Sequence, residues 1–266
     1  MAASQFRMLN SSVPGVEAVV ATTDHRFARH THEQFGIGLL FSGAQKSLSG
    51  RGMVEAEAGD LITVNPNEVH DGAPIGEARS WSILYFDPAI MDGLAREVAE
   101  GGVRRSEIPR PVIHDRLLAD RFRALFSAVT GNEERRRCEE LLLSVIADAM
   151  RETVMGEVPE RVPHSIAYAR SLIDDDPAAE ISLADLARES GLSRFQVLRA
   201  FARATGFTPH AYLVQARVHL ARRLIARGAP LAEAAFESGF ADQSHMTRAF
   251  VSRYGLTPGA YARGRS

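Results

Sequence analysis

The stretch that decides the fold is "ESGFADQSHMTRAFVSRYGLTPGAY", Glu237–Tyr261. It reads as the end of a short helix, a sharp turn at Gly239, and a second helix opened by Asp242 and closed by Gly255. A near copy, "ESGLSRFQVLRAFARATGFTPHAY", begins at Glu189. Leu183 aligns with Leu231, Gly191 with Gly239, Phe201 with Phe250, and Tyr212 with Tyr261. The offset is 48 before the turn and 49 after it, and fourteen positions are identical. Two copies are too few for a solenoid.

Each copy has the same physical logic. The first helix is short and small-faced, with Leu183, Leu186 and Ala187 in one copy and Leu231, Ala234 and Ala235 in the other. Alanines let a second helix come close. The glycine after it supplies a sharp turn and favours positive φ. Ser193 and Asp242 are good N-caps for the second helix. That helix buries Val197, Ala200 and Phe201, or Met246, Ala249 and Phe250. Two helices joined this way form a helix-turn-helix, whose second helix enters the major groove.

The outward positions of the second helices carry the candidate readout. They are Arg194, Phe195, Gln196, Leu198, Arg199 and Arg203 in the first copy. In the second they are Gln243, Ser244, His245, Thr247, Arg248 and Arg253. Arg forks onto guanine and Gln onto adenine, while apolar side chains meet thymine methyls. The alternative is a helical pair with a polar outer face, as in any bundle. The duplication and the local charge decide for DNA. Ile181–Ser266 holds twelve Arg and no Lys against five Asp and Glu, a net +7. The preceding residues hold 19 basic against 28 acidic side chains, a net −9. A basic end attracts polyanions.

The helix between the copies, about Tyr212 to Arg227, has roughly 16 residues and spans about 24 Å. The two reading helices then lie about 34 Å apart, one duplex turn. Arg217, Arg222, Arg223 and Arg227 on or beside this helix are candidate phosphate contacts, with solvent-facing charge as the alternative.

The rest of the 266-residue chain bounds the class. One cysteine, Cys138, excludes an intramolecular disulfide and a thiolate zinc cluster. The N-terminus has no secretory apolar region, and no apolar run is long enough to span a bilayer, so a cytoplasmic protein is expected. The first ninety residues read as short strands with Gly and Pro punctuation, in a small barrel or jelly roll. "FGIGLLFSG" reads as a strand closed by Gly43, and "SWSILYFDP" as one stopped by Pro88. Helices follow from Asp87-Pro88. In one of them Leu117, Leu118, Phe122, Leu125 and Phe126 share a face. In another Leu141, Leu142, Val145, Ile146 and Ala149 form a stripe, for a dimer interface or for the core. "GEVPERVP", Gly156–Pro163, reads as a linker.

The chain resembles a known family here. "ESGFADQSHMTRAFVSRYGLTPGAYAR" resembles the C-terminal signature of the AraC/XylS transcriptional regulators. The earlier copy resembles their first helix-turn-helix, and "AYLVQARVHLARRLI" their connecting helix. "RHTHEQFGIGLLFSG" and "AGDLITVNPNEVHDG" resemble the cupin-like effector domain that precedes many such DNA-binding domains. The resemblance implies an α+β chain. Residues 1–156 form a cupin-like effector and dimerisation domain, with the barrel at about 10–90 and packing helices at about 89–155. A linker, 157–163, leads to a DNA-binding domain, 164–266, with helix-turn-helix motifs at 183–205 and 231–254. It implies binding to double-stranded promoter DNA, control by a small-molecule effector, a homodimer, and contact with RNA polymerase. Base contacts are implied for Phe195, Leu198 and Arg199, and for Gln243, Ser244, His245 and Arg248.

His30, His32 and His70, with Trp81 and Tyr85, are the candidate effector-binding residues. His-x-His on a strand puts both imidazoles on one face. Three histidines can also bind a metal, or stand at a barrel mouth as structure only. Metal cupins usually add a carboxylate shortly after the His pair. This chain has Phe35, Gly36 and Ile37 there, Glu33 points to the other face, and Gln34 is a poor ligand. No metal and no cofactor are therefore expected. No nucleophile–base pair or phosphate loop stands out, so catalysis is not expected either. The alternatives are a metal-dependent cupin enzyme fused to a DNA-binding module, and a regulator with no effector.

Overall fold

The computed structural model describes residues 5–98, 107–131, 135–150 and 163–265. The expected linker falls at 157–163, almost all of it outside these residues. The chain divides into two compact units, Met1–Gly156 with Gly264–Ser266, and Glu157–Arg263.

The first unit begins with seven strands: β1 (Gln5–Leu9), β2 (Val16–Thr23), β3 (Phe27–His30), β4 (Phe35–Ser49), β5 (Gly52–Glu57), β6 (Leu61–Val64) and β7 (His70–Phe86). Helix α1 (Pro88–Val98), strand β8 (Val112–Ile113), and helices α2 (Arg116–Thr130) and α3 (Arg135–Ala149) complete it. All pairings are antiparallel, in the order β1-β2-β7-β4-β6-β8, with β3 on β7 and β5 on β4. This is the expected antiparallel β unit with packing helices.

Two strands run longer than the sequence suggests. Gly43 does not close β4; the strand continues to Ser49. Gly43 has φ +73° and marks a register shift against β7. A Cβ there would meet the Ala78 carbonyl oxygen at 2.8 Å and Arg79 Cα at 2.9 Å. The glycine thus lies inside one strand, opposite extra residues of β7, where backbone approaches backbone. Likewise β7 starts at His70, well before the apolar run that gave it away.

One hydrophobic cluster lies between strands and helices and includes Ile37, Leu39, Leu84, Phe86, Phe122 and Val145. Leu142, Val145, Ile146 and Ala149 of α3 are buried in it, so that stripe is used by the core rather than left for a partner. Leu117 departs from the expected face and is 60% exposed. Asp115 caps α2 just before it, accepting from the Leu117 and Leu118 amides.

The second unit is helical: α4 (His164–Asp175), α5 (Leu183–Ser190), α6 (Arg194–Thr205), α7 (Pro209–Ala226), α8 (Leu231–Glu237), α9 (Gln243–Tyr254) and α10 (Pro258–Arg263). Thr208 caps α7 and Pro209 opens it, a pairing that fixes the helix start. Ile166, Ala169 and Ile173 of α4 pack with Leu186, Val197, Phe201 and Leu213. Among the described residues no helix is long and apolar enough to cross a membrane.

Candidate DNA interface and effector site

The two helix-turn-helix units form as the duplicated pattern demands. Gly191 and Gly239 both have positive φ, +66° and +79°. Ser193 accepts from the Gln196 amide at 3.2 Å, and Asp242 from the His245 amide at 2.6 Å. Val197, Phe201, Met246 and Phe250 are fully buried, so the opposite faces of α6 and α9 are left outward.

On α6, Arg194, Phe195, Gln196, Leu198, Arg199 and Arg203 are all exposed, Phe195 by 65%. The Arg199 guanidinium lies over the Phe195 ring, 5.6 Å from its centroid, which holds both side chains in place. On α9, Gln243, Ser244 and Arg248 are exposed, while His245 and Thr247 are half-buried. The His245 ring packs edge-on against Phe240, at 5.1 Å. Arg194, Arg203 and Arg248 make no ion pair with any described residue.

Three arginines are not where the sequence pattern put them. Arg253 is not an outward residue: it donates to Gln215 Oε1 at 3.0 Å and to the Ala249 carbonyl at 3.0 Å. Arg217 donates to the carbonyls of Pro177 and Ala179, at 2.8 and 3.0 Å. Arg222 is buried between the rings of Tyr254 and Tyr261, at 5.7 and 5.3 Å. These charges fasten α7 to its neighbours. Arg223 and Arg227 are exposed. Gln196 is also partly engaged, because its Oε1 accepts from the Ser193 amide at 2.9 Å. Adenine recognition by Gln uses both the carbonyl and the amide. Gln196 has to give up its cap to do so.

Tyr212, the counterpart of Tyr261, also sits against an arginine. Its hydroxyl donates to Asp174 at 2.8 Å and accepts from Arg170 at 3.0 Å. Burial and the Asp174 carboxylate push the phenol up to about 12. The residue is a stay between α4 and α7.

In the first unit the structure brings together all three histidines. His30 and His70 face each other across the β3–β7 ladder. Their rings are 4.3 Å apart, and the His32 ring lies 4.9 and 5.1 Å from them. One nitrogen from each lies within 4.8 Å of the others. Tyr85 stacks beside His32 at 4.8 Å. Trp81 joins through Phe27, whose ring is 6.2 Å from Trp81 and 5.9 Å from His30. The five expected residues therefore form one continuous aromatic wall. Desolvation pushes the His70 imidazole below its ordinary range, against an upward pull from the Glu68 carbonyl and the Glu68 and Asp71 charges. Gln34 turns away to donate to Asp87 Oδ1 at 2.9 Å.

Two members of this wall were not singled out from sequence. Phe27 is one. The other is Arg79, only 1% exposed. It donates to Gln45 Oε1 at 2.9 Å and to the His25 carbonyl at 3.1 Å, and stacks over Trp81 at 4.9 Å. Burial pulls its guanidinium down to about 10. Its shared parity with Trp81 and Tyr85 along β7 was the available signal.

Residues 13–146 match the family of AraC-like ligand binding domains, and residues 186–264 match a helix-turn-helix domain. The chain belongs to the AraC family of transcriptional regulators. It is a DNA-binding regulator of AraC type, with a ligand-binding domain ahead of its helix-turn-helix domain. It is 27% identical to the uncharacterized HTH-type transcriptional regulator YbfI of Bacillus subtilis over 226 residues, 83% of this chain and 82% of YbfI. It is 40% identical to the transcriptional activator NphR of a Rhodococcus species over 84 residues, 31% of this chain and 25% of NphR. Its fold is similar to that of apo ToxT from Vibrio cholerae, with a TM-score of 0.59 at 14% identity over 97% of this chain and 100% of that one. ToxT bound to an unsaturated fatty acid is similar to the same degree, with a TM-score of 0.60 at 13% identity over 94% and 95% of the two chains.

Proposed function

We propose that this AraC-family regulator reads promoter DNA through α6 and α9, and is controlled by a small molecule held at the histidine–aromatic wall. In this reading residues 1–156 are the effector unit and 164–266 the DNA unit. The observation that carries it is the doubled helix-turn-helix with unlike exposed faces. Phe195, Leu198 and Arg199 stand on one helix, and Gln243, Ser244, His245 and Arg248 on the other. Arg194, Arg203 and Thr247 flank these contacts. Gln196 caps α6 first and reads second. Helix α7 has 18 residues, so its rod of about 27 Å holds the reading helices close to one duplex turn apart.

His30, His32, His70, Trp81 and Tyr85 supply an aromatic surface with a few polar anchors, the usual make-up of a small-molecule site. The fatty acid bound by the ToxT neighbour supports a small-molecule effector for this protein. An effector can shift this protein only by its differential affinity for two states. The chain acts in the cytoplasm, as a homodimer that contacts RNA polymerase, and carries out no catalysis of its own.

Selection of bound duplexes from a random pool with the purified chain tests the DNA reading. A single enriched asymmetric site is expected, with affinity falling steeply as salt rises. Enrichment of no sequence overturns it.

A further inference from the structure

The three histidines have the features of a metal site as well as those of an organic pocket. Their nitrogens lie within 4.8 Å of one another, and their ring centroids are 4.3, 4.9 and 5.1 Å apart. Imidazoles on one ion at a bond length of about 2.0–2.1 Å place their centroids about 4.5–5.2 Å apart, for angles between octahedral and tetrahedral. Two of the three ring spacings fall in that range, and the His30–His70 spacing of 4.3 Å is just below it. The nitrogens, within 4.8 Å of one another, have to close to the roughly 3 Å that two donors on one ion share.

The hydrogen bonds behind the rings are equally suited. His30 Nδ1 lies 2.8 Å from the Ala28 carbonyl, and His70 Nδ1 lies 2.9 Å from the Glu68 carbonyl. A carbonyl only accepts, so both Nδ1 atoms carry the proton and donate. The lone pair of each is then on Nε2. A ligating histidine is normally oriented by such a bond.

The backbone holds the donors in place. His30 and His70 are ladder partners on β3 and β7. The His32 carbonyl accepts from the Asn67 amide at 2.7 Å, which ties its segment to the turn leading into β7. Asn67 has φ +60°, a conformation uncommon outside glycine.

We propose that His30, His32 and His70 bind one divalent late-transition-metal ion of the zinc class. The lack of a neighbouring carboxylate, which argues from sequence against a metal enzyme, has a different meaning here. Three neutral ligands leave the ion its full charge and leave coordination positions open. An anionic oxygen donor, such as a carboxylate, fits those positions. That last consequence rests on reading the wall as the effector site; binding of the ion does not.

The test uses the full chain, stripped of metal with a chelator and titrated with Co²⁺, followed by Zn²⁺ in competition. One Co²⁺ per chain is expected, with the visible absorption of a nitrogen-ligated site, displaced by Zn²⁺. His30→Ala and His70→Ala are each expected to weaken binding at least about 100-fold. His114→Ala serves as the control, since that side chain is exposed and bonded to Asp60. Circular dichroism checks that each variant folds. The wild-type spectrum stands independently of any variant. Absence of saturable Co²⁺ binding in the wild type overturns the proposal, as does unchanged binding when all three histidines are replaced. Acetate separates the two readings. A Co²⁺ spectrum shifted by acetate supports an anionic effector on the ion, and an unshifted one removes that consequence while the ion site stands. If metal does not bind but organic ligands still raise the melting temperature of the stripped protein, the effector reading survives and the ion does not.

Discussion

Arg222 and Arg248 are the same residue type in opposite settings. Arg222 is buried against Tyr254 and Tyr261, and Arg248 projects from α9. Arg222→Ala is expected to lower unfolding stability by about 1–3 kcal/mol, through lost stacking and stem packing. Arg248→Ala is expected to leave stability within about 0.5 kcal/mol and to weaken cognate DNA by about 1–3 kcal/mol. Urea unfolding and fluorescence anisotropy read the two effects, and the reverse pattern contradicts the assignment. Gln196→Ala is expected to cost about 0.5–1 kcal/mol of stability through the lost cap, seen in the same unfolding series. This is the scale at which the sequence was least legible. Helical spacing puts Arg217, Arg222 and Arg253 on or near outward faces. Their partners are Pro177, Tyr254, Tyr261 and Gln215, far along the chain, and periodicity carries no information about such contacts. Arg79 was missed for the same reason: Gln45 and His25, which accept from it, lie 34 and 54 residues away along the chain.

Elements were far more legible, because their signals are local. The N-caps Ser193 and Asp242, the turn glycines and the buried stripe of each second helix are all written in adjacent residues. The two turns nonetheless differ in what they require. Nothing lies within 4 Å of a Cβ placed on Gly191. A Cβ on Gly239 would meet the Ala178 backbone at 2.9 Å and Arg217 Nε at 3.0 Å. Gly191→Ala is expected to cost about 1 kcal/mol, from the left-handed backbone alone. Gly239→Ala is expected to cost at least about 1 kcal/mol more, because backbone has to move. Equal losses in chemical denaturation contradict this. The strands show where local reading stops. Gly43 reads as a terminator, yet β4 passes through it, because β7 is long enough to pair on both sides. The α3 stripe is visible in sequence, but only the packed core shows what covers it.

At the scale of the whole molecule, the duplication and the charge asymmetry carried the reading. The C-terminal +7 is partly spent inside the fold, on Arg217, Arg222 and Arg253. The exposed remainder sets the salt dependence of DNA binding. Arg223→Ala and Arg227→Ala are each expected to reduce the salt slope by about 1 if the side chain meets a phosphate, with sequence preference unchanged. The histidine wall was legible as a spacing, but its closure depended on β3 pairing with the start of β7. The central claim is that one chain reads two unlike segments of DNA with α6 and α9. The direct measurement is a base-by-base substitution scan of the selected site, made with wild type, Arg199→Ala and Arg248→Ala. Each variant is expected to lose discrimination at its own cluster of base pairs, the two clusters separated by about one duplex turn. Loss at the same base pairs in both variants, or at none in either, contradicts the account.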